Sequence, residues 1–219
     1  VNTYFAYPKD KKTDVAILML SDIFGLPLVN NPLMADTLAA AGYFVVLPDL
    51  FYGNAVGVND LNDPSFNISA WLLTHPESET QGVINATINT MKTSYGVEKV
   101  GGSGFCFGGK FVIDYLASGD ITLDAGYVAH PSGALPADYQ TVSRPLSIAW
   151  GELDTSNPSD SRAAAELTLT TIDANYQTSL YADVEHGFST RTNLTNPRNQ
   201  FAQESAFLQN IRWFDVWLK

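Results

Sequence analysis

Apolar residues along this chain come in short, dense runs separated by stretches with helical spacing. Strand-sized runs occupy residues 3–7, 15–21, 43–47, 97–103, 125–129, 146–150 and 177–181. Several, such as VAILML at 15–20, are unbroken rather than alternating, the pattern of strands buried on both faces. Between them, apolar positions at helical intervals predict helices over residues 32–41, 77–94, 107–117, 158–174 and 197–218. Asn31 ahead of Pro32 is expected to cap the first of these and Gly42 to end it. Residues 49–64 are polar and rich in Gly and Asn, as a long surface loop is. Strand and helix patterns alternate throughout, with no repeat, low-complexity tract or linker. The expectation is one α/β domain over residues 1–219, with a mostly parallel sheet covered by helices on both faces.

Composition narrows the function. A chain of 219 residues, 45% apolar, can bury a sizeable core. Twelve Lys+Arg against 23 Asp+Glu leave a formal charge of −11, which repels phosphate backbones and argues against nucleic acid as a partner. No apolar run is long enough to cross a bilayer, so no membrane partner is expected, and the chain is expected to be a monomer or weak dimer. The single cysteine excludes an internal disulfide and a cysteine-based zinc site. An unprotected thiol fits a reducing cytoplasm, whereas the low Lys+Arg content fits export with an N-terminal signal removed. The triplets at Asn67, Asn85 and Asn193 match glycosylation acceptors but are short enough to arise by chance. The compartment stays open.

The chemistry concentrates in GGSGFCFGGK, residues 101–110. From Gly104 it reads G-x-x-x-x-G-K, a phosphate loop; around Cys106 it reads G-x-C-x-G, a nucleophile turn. A phosphate loop needs Ser or Thr after the lysine to hold magnesium, and Phe111 stands there. A nucleophile turn needs small residues two positions either side of the nucleophile, and Gly104 and Gly108 supply them. The helix that follows directs free N–H groups and a positive dipole end at the thiol. A buried core cysteine would explain neither the cluster of glycines nor partners elsewhere.

Such partners exist, in the order nucleophile, acid, histidine. The predicted strand at 146–150 ends in Gly151-Glu152-Leu153-Asp154, and the last strand is followed by Glu185-His186-Gly187-Phe188. Asp154 could instead cap the next helix, with Glu152 as the acid. His130, just past another strand, competes as the base, and His75 reads as structural.

With these residues in hand, the chain resembles the dienelactone hydrolase family of α/β-hydrolases. The resemblance rests on Ser21-Asp22-Ile23-Phe24-Gly25, Pro48-Asp49-Leu50-Phe51-Tyr52-Gly53, Gly104-Phe105-Cys106-Phe107-Gly108-Gly109, Gly151-Glu152-Leu153-Asp154 and Glu185-His186-Gly187-Phe188. Ala129-His130-Pro131-Ser132 is similar to the fungal-type branch. The resemblance implies an α/β-hydrolase fold and a triad of Cys106, Asp154 and His186. It also implies an oxyanion hole from the backbone N–H groups of Phe107 and Ile23, and hydrolysis of small, carboxylate-bearing lactones or esters. Arg191 would bind the substrate carboxylate, and His130 would mark a subfamily pocket. Asp22, counted with Arg191 and His130 among the substrate-binding residues, stands where bacterial members carry a longer glutamate that pairs with the resting thiol. Bacterial members also carry an arginine in the middle region, and no arginine occurs here before Arg144. Thiol attack on an ester requires neither metal nor organic cofactor. The alternatives are a catalytically weak homologue that binds a small ligand, and a general carboxylesterase. A thiol redox enzyme would lack a resolving cysteine.

Overall fold

The computed structural model describes all 219 residues. The seven apolar runs become β1 (Thr3–Ala6), β2 (Val15–Leu20), β3 (Phe44–Pro48), β4 (Lys99–Phe105), β5 (Ala125–Ala129), β6 (Leu146–Gly151) and β7 (Tyr176–Tyr181). They form one sheet in the order β1-β3-β2-β4-β5-β6-β7. Only β1 runs antiparallel, against β3; every other pairing is parallel. Parallel neighbours require crossovers, and the helices provide them.

The helices are α1 (Asn30–Ala40), α2 (Ile68–Leu73), α3 (Glu77–Tyr95), α4 (Phe107–Asp114), α5 (Ser159–Leu169) and α6 (Pro197–Trp217). Alternate residues of β2 divide between the two faces. Ala16, Leu18 and Leu20 pack with side chains of α3, α4 and α5. Ile17 and Met19 pack with α1 and α6. This two-sided burial is why the central strands read as continuous apolar runs. The β7 edge is half-exposed, as an outermost strand is. The architecture is an α/β-hydrolase fold.

Four local expectations change, the simplest being that α4 ends at Asp114 rather than 117. Asn31 does not cap α1: it lies inside the helix, fully buried, and its Nδ2 donates to the Gly25 carbonyl at 2.8 Å. A buried polar cluster at the end of β2 recruits this amide, overriding the local capping preference. Helix α5 stops at Leu169 rather than 174, because Thr170 and Thr171 turn their hydroxyls back onto the Leu167 and Thr168 carbonyls. Helix α2 lies beyond the elements that the periodicity predicts; it starts at an Asn67 cap that accepts from the Ala70 amide at 3.0 Å.

Candidate active site

β4 passes directly into α4, and Cys106 is the single residue at the bend. Its backbone sits at φ 51°, ψ −113°, a conformation that non-glycine residues adopt only when the surroundings hold it there. Three backbone bonds do so. The Cys106 amide donates to Ala129 at 3.2 Å, and the Cys106 carbonyl accepts from Gly109 at 3.0 Å and from Ser132 at 2.8 Å. Glycine is required at the flanks because the backbones nearly touch. A Cβ on Gly108 would lie 2.3 Å from the Leu20 carbonyl oxygen, and one on Gly104 2.7 Å from that of Gly108.

Two loops at the C-terminal ends of the strands meet this turn. His186, past β7, brings Nε2 to 3.0 Å from the Cys106 sulfur and Nδ1 to 2.9 Å from Asp154 Oδ1. Asp154 is buried beyond β6. Its carboxylate accepts from the Ser156 amide at 2.8 Å and from Asn157 Nδ2 at 3.0 Å. Asn157 is fixed in turn by the Pro131 carbonyl at 2.7 Å and by the buried Arg162 guanidinium. The competing acid, Glu152, accepts from the Asp183 amide at 2.9 Å and makes no contact with His186.

Burial by itself would lower the proton affinity of His186. Hydrogen bonds to Asp154 and Cys106, with their negative charge, outweigh it and hold the imidazole at about 10. Burial would raise Asp154, yet the bonds from His186 and Asn157 keep it below the usual carboxylate value. Nδ1–H therefore donates to Asp154, and Nε2–H is directed at the sulfur.

Sequence reasoning misses Ser132. Its hydroxyl lies 3.4 Å from the Cys106 sulfur and 3.4 Å from His186 Nε2. The available signal was its position three residues beyond β5, at the same sheet edge as Cys106.

The remaining expected residues divide. The Ile23 and Phe107 amides donate to no acceptor within the chain. Arg191 stacks its guanidinium 4.8 Å from the Phe24 ring and beside Gly187. The guanidinium makes no hydrogen bond, only a 3.8 Å approach to Asp22. Asp22 and His130 do not face an open site, in contrast to the substrate contacts expected of them. Asp22 is fully buried and accepts from the Phe24 amide, Asn31 and Thr190; burial raises its proton affinity. His130 is also fully buried, with Nε2 2.8 Å from the Ser189 hydroxyl and its ring edge-on to His186 at 5.0 Å. Burial, then repulsion from His186, hold it well below its ordinary value, so it packs as a neutral ring.

His75 is structural, with Nδ1 donating to the Trp71 carbonyl at 2.9 Å. Lys110, the lysine of the phosphate-loop pattern, pairs with Asp114 at 2.8 Å and lies 3.7 Å from Glu77.

The dienelactone hydrolase family model matches residues 1–218. Hydrolase pyvD of Aspergillus violaceofuscus is 44% identical over 219 residues, covering 100% of this chain and 88% of that protein. Dienlactone hydrolase 1 of Gibberella moniliformis is 33% identical over 227 residues, with 100% and 85% covered. Among solved structures, a dienelactone hydrolase from Anabaena variabilis superimposes with a TM-score of 0.65 at 16% identity, covering 99% of this chain and 92% of that one; this likeness speaks to the fold. On the family match and the fungal relatives together, the chain belongs to the dienelactone hydrolase family.

Proposed function

We propose that this ester/lactone hydrolase works by thiol attack, with Cys106 as nucleophile, His186 as base and acid, and Asp154 as the group that orients the imidazole. The observation that carries the reading is the unbroken contact chain from the Cys106 sulfur through His186 to Asp154, at 3.0 and 2.9 Å. The sulfur adds to the substrate carbonyl as its proton rests on Nε2. The tetrahedral oxyanion takes hydrogen bonds from the Ile23 and Phe107 amides, whose N–H groups are otherwise unused; such a donor contributes about 3 kcal/mol of barrier lowering. Nε2–H protonates the departing alkoxide and leaves an acyl-thioester. His186 then takes a proton from water as that water attacks the thioester; the C–S bond breaks, the sulfur returns to Cys106 opposite Nε2–H, and the acid product departs. In a lactone the alkoxide stays tethered, so both steps occur on one bound molecule.

The Ser132 hydroxyl donates to the sulfur during the resting and attacking states, and its reach to Nε2 lets it hold the hydrolytic water. His130 backs the imidazole as a neutral ring, so no second cation competes with His186. Arg191, whose guanidinium N–H groups bond nothing in the chain, is the group we assign to a substrate carboxylate, by forked hydrogen bonds.

Hydrolysis of p-nitrophenyl acetate and of cis-dienelactone by wild type, Cys106→Ala and Cys106→Ser tests this, with intact-mass trapping of the acyl-enzyme. Expected are loss of activity in Cys106→Ala and an acyl adduct on wild type alone. Equal rates in wild type and Cys106→Ala would overturn the assignment.

A further inference from the structure

Beside the nucleophile lies a cleft of about 370 Å³ between α2 and the start of α4, within the ~300–1,000 Å³ of ligand pockets. Its walls include Leu72, Leu73, Pro76, Phe107, Phe111 and Ser132. Two of these connect it to the reacting atoms: Ser132 touches the Cys106 sulfur, and Phe107 is the next residue in the chain. The outer wall is unusual for a short surface helix. Leu73 is 84% exposed and Leu72 40%, although α2 has a polar cap and a partly buried side. That inward side is taken by Trp71, which packs on Phe51 and His75 and donates to the Asn54 carbonyl at 3.0 Å. The two leucines are left facing the cleft and water.

The one lysine of the cleft is already paired. Lys110 is held by Asp114 and Glu77, so no free cation awaits an anion there. A carboxylate gains nothing in this cleft, whereas an apolar group covers leucine and phenylalanine surface that water otherwise meets. We infer that the α2–α4 cleft, walled by Leu73 and Phe107 and opening at Ser132, binds an uncharged aryl or medium-chain alkyl group of the ester or lactone hydrolysed at Cys106. The substrate is then larger and more apolar than a dienelactone, with its apolar end under α2. This rests on the proposed role of Cys106, yet it can be tested without turnover.

Cys106 is the only cysteine, so alkylation reports on this site alone. The test compares rates of Cys106 alkylation by iodoacetamide and N-hexyliodoacetamide, followed by intact mass, with N-acetylcysteine as the free-thiol reference. Wild type is expected to favour the hexyl reagent about tenfold or more over the reference ratio, since even one methylene in a fitted pocket contributes about that factor. Leu73→Asp lowers the ratio towards the reference, and Leu73→Met restores it, with circular dichroism verifying the fold of each. A wild-type ratio equal to the reference, or one unchanged in Leu73→Asp, overturns the inference. Failure of the thiol mechanism reads differently: hydrolysis then survives Cys106→Ala, whatever the alkylation ratio.

Discussion

Replacing Asp154 by asparagine changes charge with almost no change of shape, so it isolates what the carboxylate does to His186. In the folded protein the imidazole is held at about 10 against an ordinary 6.5. At about 1.4 kcal/mol per tenfold change in proton affinity, the difference corresponds to about 5 kcal/mol in favour of imidazolium. That preference survives burial, which acts in the opposite direction. Because the folded-state value is raised above the unfolded one, the stabilisation is complete below about pH 6.5 and is lost as pH rises through about 10. The amide introduced by Asp154→Asn still accepts from Nδ1–H but carries no charge to favour the imidazolium. The titration should fall by about one to three pH units, as expected on removing a neighbouring charge. The assay is histidine NMR titration, with three histidines to assign, alongside urea unfolding at several pH values between 7 and 10. Expected are a wild-type imidazole that stays protonated well above pH 8 and a stability curve that declines over this range more steeply than in Asp154→Asn. Because His186 Nε2 lies 3.0 Å from the Cys106 sulfur, the observed midpoint belongs to the pair. A wild-type His186 titrating near 6.5, or identical midpoints in the two proteins, would refute the reasoning.

Ser132→Ala removes the hydroxyl beside sulfur and imidazole. Its kcat should fall about tenfold, the scale of one hydrogen bond to a charged group, with KM and thermal stability little changed in steady-state and melting experiments; an unaltered kcat contradicts the role. Arg191→Ala should raise KM for a carboxylate-bearing ester about tenfold or more while leaving that of its methylated analogue unchanged. Equal effects on both would show that no carboxylate is held there. Gly108→Ala pushes a Cβ to 2.3 Å from the Leu20 carbonyl and should cost about 1–3 kcal/mol in urea unfolding. A cost near zero would mean that the turn is not held by that close approach.

Much of the architecture was legible in the chain because its cause is local. The run 15–20 had to be buried on both faces, and it became β2 with side chains dividing between two cores. Gly104, Gly108 and the strand-to-helix change around Cys106 announced a sharp turn, and the turn is there. Asp154 and His186 were legible as residues just past strand ends, where a parallel sheet gathers its loops.

What the sequence did not carry is the direction in which each side chain points once distant segments meet. Ser132 approaches sulfur and imidazole across separations of 26 and 54 residues, and no periodicity encodes such a meeting. Asn31 read as a helix cap, but burial against Gly25 and Asp22 outweighed that local preference. Asp22 and His130 carried the right chemistry for a substrate site, and the packing of α1 and the loop after β7 enclosed both. Helix α2 has too short a pattern to be read, and it is the contact of Trp71 with Phe51 and His75 that turns its leucines to the cleft. The sequence by itself determined the strands, the strand-to-helix turn at Cys106 and the loops that carry Asp154 and His186 past later strand ends, because these follow from burial periodicity and backbone geometry over a few residues. The tertiary structure decided which polar groups reach the sulfur, because that depends on packing between segments far apart in the chain.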